Sequence, residues 1–182
     1  MPFEFQETRL SGVRIITPKV YGDERGFFFE TYKLSEFTRC GISENFFQDN
    51  QSRSIKGTLR GLHYQLPPHA QAKLVRCIHG EIFDAIVDIR RSSPTFGQWE
   101  GCMLSAENKK LLYVPTGFAH GFYTVSNVAE ILYKTTAEYA PDSERGIIWN
   151  DPEVGVDWPS RQPILSPKDR NNACLRDVEA FP

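Results

Sequence analysis

The chain has 182 residues, the usual size of one domain, and a chain this long can bury roughly 70% of its unfolded surface in an ordinary core. Apolar residues make up 40% and charged residues 24%, a balance that excludes disordered and fibrous classes. With 21 Lys and Arg against 23 Asp and Glu, the net charge of −2 argues against coating nucleic acid or an anionic membrane, while leaving room for a local anion site.

Thirteen Phe, seven Tyr and three Trp, with 13 Gly and 12 Pro, favour short strands joined by turns. The first strand-like runs are Val13 to Ile16 and, after the turn-forming Gly22 to Gly26, Phe27 to Tyr32. Leu34 to Gly41 reads as one or two helical turns, with Ser35 as cap and Gly41 as stop. Phe46 to Asn50 and Thr58 to Gln65 follow. Leu74 to Ile78 passes through a tight turn at His79-Gly80 into Glu81 to Ile89. Trp99 to Leu104, Leu111 to Val114, Gly121 to Val125 and Glu130 to Thr136 complete the series. Such strands, separated by turns, predict a sandwich or barrel. From Trp149 onward prolines interleave with polar residues, which predicts a segment wrapping the body. Ser166 to Asp169 opens another short helix. No repeat or linker divides the chain, so residues 1–182 are expected to form a single domain.

Asp84 and Asp88 interrupt the apolar run Glu81 to Ile89. Either the strand has one polar-lined face turned to a ligand-holding interior, or both acids face solvent on an edge.

Cys40, Cys77, Cys102 and Cys174 are widely spread with no C-x-x-C pair, so neither a zinc ribbon nor a disulfide framework is expected. The start, Met1 to Glu7, carries acids where a signal peptide needs a basic and then an apolar segment. No apolar stretch nears the ~20 residues of a membrane span. A soluble cytoplasmic protein, without nucleic-acid or membrane partners, is the expectation.

Histidines occur at 63, 69, 79 and 120. His63 lies in Leu59-Arg60-Gly61-Leu62-His63-Tyr64-Gln65, a strand-like setting with an arginine nearby. His120 ends a P-x-G-x-x-H turn, Pro115 to His120, that matches half of the second motif of the cupin superfamily. Cupin metal sites need three or four N/O ligands, usually an H-x-H pair with a following carboxylate and a later histidine. Here Gln65 stands where the second histidine would be, so a metal-free pocket is expected. Histidine in a metal-free cavity suggests proton transfer, because imidazole can accept a proton near neutrality. Tyr133 is a candidate acid, and Lys73 could set a cation against a developing oxyanion. Taken singly, each residue fits a structural role better: a hydrogen-bonded strand histidine, a packed tyrosine with its hydroxyl at an edge. Arg25, Arg60 and Lys168 sit beside aromatics and glycines in settings that suit phosphate recognition or solvated surface charge. No P-loop or G-x-G-x-x-G occurs, so a nucleotide would have to be held by side chains.

A set of motifs in register goes further: Asp23 to Glu30, Gln48-Asp49-Asn50, Leu59 to His63, Lys73 to Arg76, Ser93 to Trp99, Pro115 to Phe122 and Ser166 to Asp169. Together they resemble the dTDP-4-dehydrorhamnose 3,5-epimerase family, over about residues 10 to 170. The resemblance implies an all-β, cupin-type jelly roll, a double-stranded β-helix with a few short helices and a wrapping C-terminal segment. It implies a homodimer without metal or cofactor that epimerises C3 and C5 of dTDP-4-dehydro-6-deoxy-D-glucose.

Carried over by motif, His63 is the base, Asp169 its orienting partner, Tyr133 the acid and Lys73 the group that steadies the enolate oxygen. Arg60 and, from the partner subunit, Arg25 would engage the diphosphate, with Glu30 also reaching the partner's site. Gln48, Asp49, Asn50, His120, Glu144 and Lys168 would bind nucleotide and sugar, and Tyr139 would stack on the thymine. The chain departs from the family pattern at Pro67-Pro68-His69 and at Asn171 to Cys174, away from the proposed acid and base. A mono-epimerase acting on another 4-keto-6-deoxy nucleotide sugar would share these motifs. A metal-dependent cupin would need the missing H-x-H pair. A non-enzymatic binding cupin would not need His63, Tyr133 and Asp169 together.

Overall fold

Buried and exposed side chains alternate along several stretches, as they must where a strand covers a core on one face. The computed structural model describes residues 1–182. Its first half contains β1 (Phe3–Glu7), β2 (Arg14–Pro18), β3 (Tyr21–Asp23), β4 (Gly26–Phe28), α1 (Leu34–Arg39), β5 (Gln48–Ile55), β6 (Leu59–Gln65), β7 (Lys73–His79) and β8 (Glu81–Asp88). There follow β9 (Trp99–Ser105), β10 (Leu111–Val114), β11 (Phe118–Thr124), β12 (Val128–Thr135), β13 (Glu144–Gly146) and α2 (Pro167–Arg170). One sheet has the order β1-β2-β10-β7-β12-β5 and the facing sheet β13-β6-β11-β8-β9, while β3 and β4 form a separate hairpin. The pairs within both sheets are antiparallel, and the chain crosses between sheets from β5 to β6 and from β7 to β8. This is an all-β, cupin-like jelly roll.

Three apolar clusters hold the layers together. Between the sheets lie Val75, Cys77, Ile82, Ile86, Leu104, Phe118, Phe122 and Ile131 with their neighbours. Outside the five-stranded sheet, Leu59, Leu62, Ala85, Val87, Ala119 and Tyr123 are covered by Val154, Trp158 and Leu175, so the C-terminal segment does wrap the body. β11 is buried along its whole length because these two clusters cover its two faces. A third cluster, with Phe3, Ile16, Leu74 and Leu111, is capped by Phe37 of α1.

Most expected strands are present, with shifted ends. β4 stops at Phe28 rather than reaching Tyr32, because Tyr32 turns away to pack its ring against Phe37 and Phe46. β11 begins at Phe118, so His120 sits inside the strand and not at its start. α1 is capped at Lys33, without a side-chain bond, and Ser35 lies within its first turn; Gly41, at φ +83°, ends it. β1, β3 and β13 have no counterpart among the expected runs; Gly22 and Asp23, read as part of a turn, pair instead with Phe27 and Gly26 in the β3–β4 hairpin. Both acids of β8 are fully buried, which removes the solvent-edge alternative. Asp88 accepts from Arg90, Ser93 and Thr95, whereas Asp84 turns to His120. No helix is long and apolar enough to cross a membrane.

One glycine contact fixes how the site is built. Gly61 in β6 has φ +130°, and a Cβ there would lie 2.5 Å from the Gly121 Cα and 2.8 Å from the His120 carbonyl oxygen in β11. The two backbones meet where no side chain fits, and His63 pairs across from His120 beside that contact. Gly61→Ala is therefore expected to cost at least about 2 kcal/mol, lowering the melting temperature by roughly 4–8 °C. An unchanged thermal midpoint would contradict this packing.

Candidate active site

Strand alternation delivers two half-sites, one from each sheet. On the inner face of the six-stranded sheet, β5 offers Gln48 and Asn50, β12 offers Tyr133 and Thr135, and β7 offers Lys73. Register aligns Tyr133 with Asn50, and Thr135 with both Gln48 and Lys73. The facing sheet supplies Arg60 and His63 from β6, His120 from β11 and Glu144 from β13. Two adjoining cavities of about 250 and 260 Å³ share His63, Lys73 and Tyr133 in their walls, so base and acid candidates meet in one recess.

His63 is held by the wrapping segment. Its Nε2–H donates to Asp169 Oδ1 at 2.5 Å, since an ionised carboxylate can only accept, and the other ring nitrogen keeps its lone pair. Ser166 caps α2 by accepting from the Asp169 amide at 3.1 Å, and its hydroxyl donates to Asp169 Oδ2 at 2.7 Å. Burial alone would raise Asp169, but the hydrogen bond and charge of His63, with Ser166 and the Gly61 backbone, hold it below the usual carboxyl range. Asp169 thus fixes both the tautomer and the direction of the imidazole.

The remaining groups converge from the rim. Glu144 pairs with Lys168 and accepts from the Tyr139 hydroxyl at 2.6 Å. Burial would raise its carboxyl, yet those donors and the charges of Lys168 and His63 hold it low. Gln48 accepts from the Tyr139 amide at 2.9 Å and donates to Asn50 at 2.8 Å, which joins β5 to the rim loop. Arg60 donates to Ser54 at 3.0 Å and lines the cavity with Lys168. Burial pushes the Tyr133 phenol up, with the Arg60 charge opposing and that of Glu144 adding. Burial pushes Lys73 down to about 8, and its ammonium donates to the His63 carbonyl at 3.4 Å.

Eleven of the expected site residues therefore come together: His63, Tyr133, Asp169, Lys73, Gln48, Asn50, Arg60, His120, Tyr139, Glu144 and Lys168. Three do not. Asp49 points to the opposite face of its sheet, where it pairs with Lys134 at 2.8 Å. Arg25 stands on the β3–β4 hairpin, 85% exposed and paired with Asp23. Glu30 pairs with Lys33 beyond the same hairpin. Sequence reasoning overlooked Gln65, Gln71, Thr135 and Ser166 as lining residues, although the alternation that places Tyr133 inward also places Thr135 inward. No group of three His, Cys, Asp or Glu side chains comes together in a way that could hold a metal ion.

A jelly roll with a carboxylate-held histidine, a half-buried tyrosine and a lysine in one recess defines the class of cupin-like acid–base enzymes. The family model for dTDP-4-dehydrorhamnose 3,5-epimerase matches residues 7–177, and the chain belongs to this epimerase family. It is 55% identical over 179 residues to the dTDP-4-dehydrorhamnose 3,5-epimerase of Pseudomonas aeruginosa, covering 96% of this chain and 98% of that one. To the enzyme of the same name from Shigella flexneri it is 53% identical over 176 residues, covering 96% and 97%. The crystal structure of the dTDP-6-deoxy-D-glucose-3,5-epimerase of Legionella pneumophila, in complex with dTDP-4-keto-L-rhamnose, superposes with a TM-score of 0.94 at 49% identity, covering 97% and 95%.

Asp169 and Glu144 both hold their protons less tightly in the folded chain than unfolded carboxyls would. Their contribution to stability is full above the ordinary carboxyl values of about 4 and drains as the pH falls through the lower folded values. Denaturant midpoints measured from pH 6 to pH 3 should fall steeply for the parent and less steeply for Asp169→Asn. Equal acid dependence in the two would contradict the assignment.

Proposed function

We propose that this chain inverts both carbons flanking the C4 ketone of dTDP-4-dehydro-6-deoxy-D-glucose, giving dTDP-4-dehydro-L-rhamnose, with His63 as base and Tyr133 as acid. The observation that carries this reading is the recess shared by His63 from one sheet, and Tyr133 and Lys73 from the other. C3 and C5 are both α to the ketone. Removing either proton sends the C–H electron pair through the C–C bond to the C4 oxygen and leaves an enolate. Lys73 steadies that oxygen, and Tyr133 delivers a proton to the opposite face of the carbon. The proton taken by His63 and the one lost by Tyr133 are then re-equilibrated with solvent. One base and one acid serve both centres as the ring shifts between them. General acid–base help of this kind is worth about 10²–10⁴-fold.

Binding away from the reacting carbons orients the ring. Arg60 takes the diphosphate, Tyr139 stacks on the base, and Gln48, Asn50, His120, Glu144 and Lys168 contact nucleotide and sugar. The chain works as a homodimer in which Arg25 and Glu30 complete the partner's site. Support comes from the exposed hairpin that carries Arg25 together with Phe27 and Phe28, 65% and 66% exposed, a concentration of apolar surface unusual on a lone subunit. Pairing of His63 and His120 each with a carboxylate supports catalysis without a metal. Four free cysteines support a reducing, cytoplasmic setting.

Turnover of the 4-keto sugar nucleotide in D2O should place deuterium at both C3 and C5. Label at one carbon alone would turn the reading to a mono-epimerase. His63→Ala should lose about 10²–10⁴-fold of the exchange while still binding dTDP. Tyr133→Phe should spare proton removal more than net inversion. Exchange at the parental rate in His63→Ala would remove the base assignment.

A further inference from the structure

Beneath the recess lies a carboxylate that the scheme above does not use. Asp84 is fully buried at the centre of β8, on the same face as Ile82 and Ile86, and those two pack in the inter-sheet core against Val75 and Cys77 of β7. A lone ionised carboxylate in such a place is costly unless donors or a cation answer it. Both its oxygens lie 2.9 Å from His120 Nε2, but only Oδ2 accepts in hydrogen-bond geometry, and Oδ1 has no hydrogen-bond partner. The neighbouring strand β9 offers Cys102, whose thiol burial pushes up and which therefore brings no charge, and Glu100, which lines the same small gap as Asp84 but pairs with Arg9. Half of the carboxylate is thus left without a donor, and its other half is tied to His120, which lines the same cavity as Lys73.

We propose that Asp84 is a positioning residue for the epimerisation: its carboxylate, anchored by His120, is the fixed counter-charge below the cavity that keeps the Lys73 ammonium protonated and turned toward the C4 oxygen. This rests on the reading of Lys73 as the group that steadies the enolate.

The surroundings of Lys73 make the sign unambiguous. Burial acts to lower its proton affinity; among charges Asp84 opposes that most, followed by Glu144 of β13. From β6 it faces Arg60 and His63, from β11 His120 and from β12 Tyr133. α2 adds Lys168 and Asp169, whose charges are already committed to Glu144 and His63. Removing the Asp84 charge therefore lets Lys73 lose its proton at lower pH. His120 is a second consequence. Because Asp84 accepts from Nε2, the His120 ring is held in one tautomer with its other nitrogen available for a substrate hydroxyl.

The test is kcat/KM against pH, from 5.5 to 9.5, for the parent, Asp84→Asn, Asp84→Leu and Asp84→Glu, together with amine acylation of Lys73 followed by mass spectrometry over the same range. Asparagine keeps an oxygen that can accept from His120 Nε2 whereas leucine does not, so the two differ in their cost to folding but share the loss of charge, and the melting temperature of each variant is measured alongside. Both uncharged variants should move the basic limb of the profile toward acid by at least about half a unit and lower kcat/KM about tenfold at pH 8, mainly through kcat. The Lys73 acylation midpoint should move with it, and the glutamate variant should restore both. If the uncharged variants melt at lower temperature but leave the limb and the acylation midpoint in place, Asp84 is only structural and the inference is overturned. If the parent itself shows no deuterium exchange, it is the epimerase reading that fails instead.

Discussion

The hydrogen bond from His63 to Asp169 joins residues 106 positions apart, and the recess is organised around it. It ties α2 of the wrapping segment to β6 of the five-stranded sheet, where Gly61 and Gly121 let β6 and β11 come together without side chains between them. Ser166 secures the carboxylate from behind. An imidazole so held has one tautomer and one direction, which on the proposed reading is what a base needs to take protons from two different carbons of one ring.

The jelly roll then supplies the stereochemistry. Two facing sheets each turn alternate residues inward, so a group on one sheet meets a bound ring from one side and a group on the other sheet from the opposite side. His63 belongs to the five-stranded sheet, and Tyr133 and Lys73 to the six-stranded sheet. Inversion at carbon, which requires proton removal and return on opposite faces, follows from that division on the proposed reading. The same alternation explains why Gln48 and Asn50 line the recess while Asp49, between them, pairs with Lys134 outside.

Much of this was legible in the amino-acid order because strands announce themselves through alternation and turns, and because the motifs around residues 23–30, 59–63 and 115–122 resemble one epimerase family. What escaped has physical reasons. β13 is only three residues long, too short for any pattern, and β1 is masked by its acids. The run Phe27 to Tyr32 looks like one strand, yet its second half is claimed by aromatic packing on α1. Asp84 and Asp88 are indistinguishable by periodicity; only their partners, His120 for one and Arg90, Ser93 and Thr95 for the other, separate a charge under the site from a structural knot. Ser166 was readable as a helix start, but its hold on the carboxylate that receives His63 depends on a contact with β6 that no local pattern carries.

The most direct test is a crystal structure of this protein with a dTDP-hexose bound. The account predicts the sugar ring between the His63 imidazole and the Tyr133 phenol, each within hydrogen-bond reach of opposite ring faces, with the C4 oxygen turned toward the Lys73 ammonium. A ring with both side chains on the same face, or a C4 oxygen directed away from Lys73, would contradict it.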